Sequence, residues 1–114
     1  MLGGDMKKFL DDYVAAWNSR DVDKIVDFYT DDCMRADPLT GVLKGKDAVR
    51  GFLITMFQAF PDLWISMGDA VGSGDILAME WVSTGTHQGP LPPFSSLGAT
   101  GRRVEMAGGS FFRL

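Results

Sequence analysis

Asp37, in the segment MRADPLTG, has a side chain that could do acid–base chemistry. It follows a short, half-apolar run and stands directly before Pro38. An aspartate before proline commonly opens a turn, because its carboxylate accepts hydrogen bonds from the local backbone. Beside apolar walls the same carboxylate would lose solvation, its pKa would rise, and it would become a better base near neutral pH. On the residues alone, both interpretations stay open.

Tyr13 is a second candidate because it lies in the middle of the apolar stripe of the first predicted helix. A buried phenol is a good hydrogen-bond donor to an oxygen that gains negative charge during a reaction. The competing interpretation is an ordinary core tyrosine whose hydroxyl bonds to some neighbour. Trp17 lies one helical turn further on and would form part of the same wall, although plain packing explains it as well.

His87 is the only histidine and stands in GTHQG, near the end of the longest predicted strand. Strand alternation predicts that it shares a face with Met79, Trp81 and Ser83. A histidine at a strand end is commonly solvated or caps the strand, but its ordinary pKa also suits proton transfer. His87 is therefore the next candidate base if Asp37 points away from the interior.

The composition excludes several classes of function. The net charge is −4 with a pI near 4.7, and the basic residues are scattered, so no nucleic-acid partner is expected. Arg35, Arg102 and Arg103 are interpreted as solvated charges at the rim of the domain. Cys33 is the only cysteine, which excludes an intrachain disulfide and, with one histidine, a zinc site of several Cys and His ligands. No apolar run is long enough to cross a bilayer and no signal segment opens the chain, so we expect a cytoplasmic protein without a membrane partner.

Three helices are predicted in the first half of the chain. The first carries an apolar stripe that ends at Trp17, with Asp5 placed to cap its start. Asp21 can cap a second, shorter helix. The third lies in GKDAVRGFLITMFQAFPD and is stopped by Pro61. Its apolar stripe comprises Ala48, Val49, Phe52, Leu53, Met56, Phe57 and Phe60.

The rest of the chain has the pattern of a sheet. Two short strands, 33–37 and 42–44, are joined by the turn PLTG. Further on, LWISMGDAVG and DILAMEWVSTGTHQG are joined by SGD, a good hairpin signal, and a last strand runs from about Arg102 to Phe112. Before that strand, PLPPFSSLGATG has the length of a lid or binding loop. In the last strand, alternation predicts that Ser110 faces the helices, and Gly108-Gly109 predicts a bulge or a strong bend.

This order of elements predicts a single α+β domain over residues 1–114. Three amphipathic helices would cover one face of a curved, antiparallel-rich sheet and leave a cone-shaped cavity, a usual place for small apolar ligands. The other face of the sheet would be covered in a homodimer, because Trp81, Phe111 and Ile76 are rather apolar for full exposure.

The segment YVAAWNSRDVDKIVDFYTDDCMRADP resembles the opening of the ketosteroid isomerases, within the nuclear transport factor 2-like, or SnoaL-like, superfamily. Further on, GTHQG and ATGRRVEM resemble the SnoaL-like polyketide cyclases, and GKDAVRGF is common to the superfamily. The resemblance covers nearly the whole chain and implies a cone-shaped, cystatin-like fold. Members usually finish with a further strand inside the sheet. The sequence given stops at Leu114, so the usual last strand is expected to be missing, supplied by a partner, or replaced by a different closure of the sheet.

By this resemblance, Asp37 falls on the catalytic base of the isomerases, which moves a proton between carbons next to a carbonyl. Tyr13 falls on the tyrosine that hydrogen-bonds the enolate oxygen. Ser110 falls where that family has a neutral aspartic acid, a departure that argues against steroid isomerisation itself.

The leading hypothesis is proton transfer next to a carbonyl on a small, mostly apolar substrate, without cofactor or metal, by an isomerase or cyclase. Its catalytic groups are Asp37, Tyr13, Ser110 and His87. The residues expected to line the substrate site are Trp17, Phe52, Met56, Trp81, Met106 and Phe112. The alternative is a small-ligand-binding or assembly domain of the same fold without turnover. An epoxide hydrolase would need an Asp-Arg-Asp set, which the sequence does not identify.

Overall fold

The computed structural model describes residues 4–37, 40–90 and 98–113, with the backbone alone at Asp37. Pro38 and Leu39 of the PLTG turn and residues 91–97 of the PLPPFSSLGATG loop therefore lie outside the described residues. The elements, in chain order, are α1 (Gly4–Ser19), α2 (Val22–Val26), β1 (Met34–Asp37), β2 (Gly41–Lys44), α3 (Lys46–Ala59), β3 (Trp64–Ser73), β4 (Ile76–Thr86) and β5 (Arg103–Arg113). The predicted order of helices and strands is confirmed. No helix among these residues is long and apolar enough to span a membrane.

Local signals in the sequence explain where the helices begin and end. The Asp21 carboxylate accepts hydrogen bonds from the backbone N–H groups of Asp23 and Lys24, at 3.1 and 3.3 Å, and so caps α2. α3 follows Gly45, whose φ of 84° favours glycine, and it ends at Ala59, two residues before Pro61. Asp5 lies in the first turn of α1, where a negative charge is favourable.

The strands form two antiparallel groups. β1 pairs with β2 in a hairpin, and β3, β4 and β5 form a meander in that order. The inward face of the meander packs on the helices: Leu77 and Met79 of β4 are buried against Leu10 of α1. The helices contribute most of the second buried cluster, which comprises Tyr13, Ala16, Trp17, Ile25, Val26, Val49, Leu53, Ala59, Phe60 and Leu63. The three helices thus pack together with two open antiparallel sheets.

Gly108 and Gly109 were predicted to mark a bulge or a strong bend, and the bulge is wrong. β4 and β5 stay in regular register along their whole length, with Trp81 opposite Gly108. A Cβ atom at Gly108 would lie 2.4 Å from Cζ2 of Trp81, so this glycine makes room for the indole ring. The irregularity lies in β3 instead, between Met67 and Ala70. Trp81 therefore packs on the inward face, and its assignment to the outer sheet face is also corrected.

The end of α1 is fixed to the outer edge of β3 by side chains that bond to backbone. Asn18 donates from Nδ2 to the Ile65 carbonyl at 2.9 Å and accepts from the Ile65 N–H at 2.7 Å. Arg20 donates from Nε to the Leu63 carbonyl at 3.1 Å. Asn18 thus makes the two backbone hydrogen bonds that a neighbouring strand would make to Ile65, which fixes the position of α1 over the sheet.

We expect Asn18→Ala to lower the free energy of unfolding by about 1–3 kcal/mol, because it leaves two half-buried backbone groups of Ile65 without their partner. Urea unfolding followed by circular dichroism measures the change. Thr55→Ala is the matched control, since the Thr55 hydroxyl donates to the Gly51 carbonyl of its own helix, at 3.0 Å. Equal stabilities of the two variants would contradict the anchoring role of Asn18.

Candidate functional site

The interior beneath α1 is lined by aromatic rings that fix Tyr13. The Tyr13 ring makes edge contacts with Phe28 and Phe112, at centroid distances of 5.4 and 5.3 Å. Phe9 stacks on it from the preceding turn of the helix, at 6.0 Å. With only 5% of its surface exposed, Tyr13 holds its hydroxyl in one place.

The Tyr13 hydroxyl forms a hydrogen bond with the hydroxyl of Tyr29, with 2.6 Å between the oxygens. Each phenol has one O–H, and one of the two protons lies between the oxygens. The pair therefore keeps one proton that it can donate to a third oxygen. Burial raises the pKa of Tyr13 strongly, and Tyr29 raises it further, so Tyr13 acts as a donor and not as a base near neutral pH.

Arg35 of β1 lies beside this phenol pair, which corrects its interpretation as a solvated rim charge. Its guanidinium carbon is 4.7 Å from the ring centroid of Phe52 and 5.9 Å from that of Trp17. Both distances lie within the range of cation–π attraction. The charge of Arg35 also opposes the rise in the Tyr13 pKa, so its field reaches the phenol oxygen.

Trp17 adds another donor to the same place. It is 7% exposed, and its Nε1–H has no hydrogen-bond partner within the described residues. The indole lowers the Tyr13 pKa, although less than Arg35 does, so its N–H lies near the phenol oxygen. The two groups do not have the geometry of a hydrogen bond. We call Tyr13, Trp17, Tyr29, Arg35 and Phe52 the phenol–arginine cluster.

The phenol–arginine cluster runs from buried to half-buried positions. Tyr13 and Trp17 are buried, whereas Tyr29, Arg35 and Phe52 are half-buried. Its polar groups can all donate hydrogen bonds: an indole N–H, the second proton of the phenol pair and a guanidinium.

Asp37 belongs to the same strand as Arg35. Its backbone pairs with Gly41 across the β1–β2 hairpin, two residues after Arg35. Strand alternation places positions 35 and 37 on one face of β1. The Asp37 side chain lies outside the described atoms, and its role as a base stays a prediction.

Ser110 is on the inward side of β5, and its hydroxyl oxygen accepts a hydrogen bond from Trp81 Nε1 at 2.9 Å. Phe112, two residues on, packs against Tyr13. Met106 is 56% exposed near the start of the same strand. Met56 is half-buried against the core of the helices. The roles of these residues in binding or catalysis stay predictions.

His87 is buried at the base of the β4–β5 connection, with 7% of its surface exposed. Its Nδ1 lies 2.9 Å from Thr100 Oγ1 and accepts from the Thr100 N–H at 3.3 Å. In the neutral ring the proton is therefore assigned to Nε2, which has no hydrogen-bond partner within the described part of the chain. The His87 backbone also bonds to Arg102 and Gly101, at 2.9 and 2.8 Å. His87 closes the loop at its base, and this position is separate from the phenol–arginine cluster.

Two hollows open at other places. One of about 310 Å³ is lined by Ile76, Phe111, Phe112 and Arg113 at the end of β5. The other, of about 250 Å³, lies around the β3 bulge on the outer sheet face and is lined by Asp69, Ala70, Val71, Ala78, Met79, Glu80, Gly109, Ser110 and Phe111. Neither is lined by Tyr13, Tyr29 or Arg35. Their walls hold few polar groups that converge on one point, so we assign the chemistry to the cluster instead.

Three helices packed with open antiparallel sheets, with phenols in the interior, define a small α+β cone of the nuclear transport factor 2-like class. Within that class, the chain belongs to the SnoaL-like polyketide cyclase family, which matches residues 7–114. No curated protein matches the chain by sequence at a significant level.

Solved structures share the fold. AclR from Streptomyces galilaeus, provisionally described as a hydroxylase, is 26% identical with a TM-score of 0.80, over 96% of this chain and 67% of AclR. SalBIII, an epoxide hydrolase/cyclase-like enzyme of pyran ring formation in the polyether salinomycin, is 23% identical with a TM-score of 0.79, over 96% and 80%. IdmH from Streptomyces antibioticus, provisionally a polyketide cyclase, is 24% identical with a TM-score of 0.77, over 96% and 82%. The last two identities show a common fold alone.

Proposed function

We propose that the protein catalyses proton transfer next to a carbonyl, as a cyclase or isomerase, on a small and mostly apolar substrate. The observation that carries this proposal is the phenol pair, whose oxygens lie 2.6 Å apart beside the charge of Arg35. Such a pair can hold one spare proton toward an oxygen that gains charge, which is the task of an oxyanion hole. Membership of a cyclase family agrees with this chemistry.

The reaction begins at Asp37. Its carboxylate takes a proton from the carbon next to the substrate carbonyl, and the electron pair of the C–H bond moves into the carbonyl to form an enolate. The spare proton of the Tyr13–Tyr29 pair donates a hydrogen bond to the enolate oxygen. Because the Tyr13 pKa is raised, the phenol keeps its proton and stabilises the enolate by hydrogen bonding alone.

The enolate then has two outcomes. In an isomerase, the protonated Asp37 returns the proton to a different carbon of the conjugated system. In a cyclase, the enolate carbon attacks a second carbonyl carbon of the same molecule, and the alkoxide formed takes the proton from Asp37. Ser110, two residues before the Phe112 that packs on Tyr13, is the assisting donor in this proposal. His87, which lies apart from the cluster, is the alternative base. Neither outcome consumes an oxidant, a reductant or a cofactor.

Proton exchange in deuterated water tests the proposal without knowledge of the natural substrate. Small cyclic enones and 1,3-diketones are incubated with the protein, and NMR follows the loss of the protons next to the carbonyl. Incorporation of deuterium faster than in buffer alone is the expected result. Binding of these probes without exchange would instead support the second candidate, a small-ligand-binding domain, which the aromatic walls around the phenol pair also suit.

We also propose that a second copy of this chain covers the outer sheet face. Trp64, Val71, Ile76, Val82 and Phe111 share this face in the register of β3, β4 and β5, and Phe111 is 84% exposed. Single exposed apolar residues are common, but several large ones on one sheet face usually mark an interface. Arg103 and Glu105 alternate on the same face of β5, so two copies related by a two-fold axis can pair opposite charges.

Phe111→Glu is expected to convert the dimer into a monomer at micromolar concentration, because it places a charge in the apolar stripe. Sedimentation velocity measures the species. Val42→Glu is the control, since Val42 is 59% exposed in β2, outside the meander. A wild-type protein that sediments as a monomer up to the highest soluble concentration would contradict the dimer.

A further inference from the structure

The outward side chains of β3, β4 and β5 lie in rows across the sheet, because residues that pair across strands are side by side. Glu80 is exposed in the middle row, opposite Gly109 of β5. Gly68 of β3 lies against Glu80 on the other side, where an added Cβ would be 3.3 Å from the Glu80 Cβ. The middle row therefore has one side chain between two glycines, and the sheet is thinnest there.

The rows on either side of the middle row differ in the size of their side chains. Toward the β3–β4 turn, the first row comprises Val71, Ala78 and Phe111, and the second comprises Ser73, Ile76 and Arg113. Toward the other end, the first row comprises Ser66, Val82 and Ala107, and the second comprises Trp64, Thr84 and Glu105. Each strand thus carries a large side chain at one distance from Glu80 and a smaller one at the same distance beyond it.

A two-fold axis that crosses the strands at Glu80 brings these rows together. It sets each strand against its own copy, running the opposite way, so that rows equally far from Glu80 face each other. The strands of two sheets packed in this way stay within about 30° of one another, so the matching of rows holds best near the axis. The facing pairs are Phe111 with Ala107, Val82 with Ala78, Val71 with Ser66, and Trp64 with Ser73.

These pairs are complementary in size. Phe111 is 84% exposed in the single chain, and the side chain that it would face is a methyl group. Large side chains opposite small ones are what two sheets need to interdigitate without voids.

The charges of β5 also match about this axis. Arg113 would face Glu105 of the second copy, and the symmetry makes this pair twice. Arg113 lies 3.4 Å from the Asp75 carboxylate of its own chain, and a guanidinium has N–H donors for a second carboxylate as well. An axis at Val104 would instead pair Arg103 with Glu105. That axis would leave the end of the sheet with Phe111 beyond the end of the facing strand.

We propose that two copies of the chain pack their outer sheet faces about a two-fold axis at Glu80, with Phe111 over Ala107 and Arg113 beside Glu105 of the second copy. The arrangement rests on the dimer proposed above and adds which residues face each other. Glu80 would face its own copy across the axis. The two carboxylates repel each other, so Glu80 weakens the association that the surrounding side chains favour.

Charge reversal tests the pairing of Arg113 with Glu105. Glu105→Arg and Arg113→Glu should each raise the dissociation constant of the dimer about 10- to 100-fold, because each places two like-charge pairs in the interface. The double variant should restore the wild-type value, since the charges are then exchanged. Arg103→Glu is the control and should leave the constant unchanged, because position 103 lies beyond the facing strand. Sedimentation equilibrium measures the constants, and circular dichroism checks that each variant is folded.

A mixture of wild type and Glu80→Lys tests the position of the axis. If position 80 faces itself, unlike charges meet only in the mixed dimer. Native mass spectrometry, with an affinity tag on one protein, should then find more mixed dimer than random pairing gives. A random share of mixed dimer would overturn the inference. A double variant as weak as the single ones would also overturn it, and so would an Arg103→Glu variant as weak as Glu105→Arg. These results leave the dimer itself in place, whereas a monomeric wild type rejects both.

Discussion

Replacing Asp37 by asparagine is expected to lower the rate of enzyme-dependent deuterium exchange by about 10²- to 10⁴-fold, the contribution typical of a positioned general base. The amide keeps the size and shape of the carboxylate, but it cannot take the proton from carbon. Binding of 4-nitrophenolate, whose delocalised oxyanion resembles the enolate, should persist, because the phenol pair is unchanged. NMR of the exchanging substrate gives the rate, and the absorbance of bound 4-nitrophenolate gives the affinity.

Asp32→Asn is the matched control for this change. Asp32 is exposed in the turn before β1, so the loss of its charge should leave the exchange rate unaltered. If Asp37→Asn exchanges protons as fast as the wild type, Asp37 is not the base. His87→Gln then becomes the decisive variant, because His87 is buried and its Nε2 has no hydrogen-bond partner within residues 4–37, 40–90 and 98–113.

Tyr13→Phe is expected to reduce the exchange rate by about 10²- to 10³-fold, as for the removal of one oxyanion-hole donor. The ring contacts with Phe28 and Phe112 remain, so the free energy of unfolding should change by only about 1 kcal/mol. The loss should appear in kcat more than in KM, because the hydrogen bond strengthens as the oxygen gains charge.

Tyr29→Phe distinguishes the two phenols. If Tyr29 donates to Tyr13 and Tyr13 donates to the substrate, removal of the Tyr29 hydroxyl should cost less than removal of the Tyr13 hydroxyl. Tyr13 would keep its own donor and lose only the polarising partner that lies 2.6 Å away. A Tyr29→Phe variant slower than Tyr13→Phe would place Tyr29 next to the substrate. Two variants as fast as the wild type would remove the phenol pair from the mechanism.

The order of elements was predictable because it depends on local patterns. Apolar residues at helical spacing, the cap at Asp21 and the stop at Pro61 mark the helices, and SGD marks the hairpin between β3 and β4. These signals are contained in a few neighbouring residues, and the structure places each element within a few residues of its predicted bounds. Family membership follows from the same segments and is shown by the match over residues 7–114.

The phenol–arginine cluster was predicted only in part. Tyr13, Trp17 and Phe52 were candidates, whereas Tyr29 was not. It lies three residues beyond the end of α2 at Val26. Arg35 was missed because a charged residue is most often solvated. One signal could have found it: in an alternating strand, positions 35 and 37 share a face, so an inward Asp37 requires an inward Arg35. The rings that accept the guanidinium come from α1 and α3, which no local pattern reveals.

The prediction of a bulge was wrong for the same reason, since the local pattern does not reveal contacts between elements. Gly108 and Gly109 resemble a break in a strand when they are considered within β5 alone. Their role becomes clear only from the neighbouring strand, because the Trp81 ring lies over Gly108 and bonds to Ser110 beside it. The local conformation of β5 therefore depends on a contact with Trp81, which is far from Gly108 in the sequence.

A crystal structure of the complex with 4-nitrophenolate tests most directly whether the phenol–arginine cluster is the functional site. We expect the phenolate oxygen within about 3 Å of the Tyr13 hydroxyl, the usual hydrogen-bond distance, beside the edge of the Arg35 guanidinium. The ligand ring should lie against Phe52 and Trp17. A ligand found in the hollow on the outer sheet face, with the Tyr13–Tyr29 hydrogen bond unchanged and no contact to Arg35, would contradict the account.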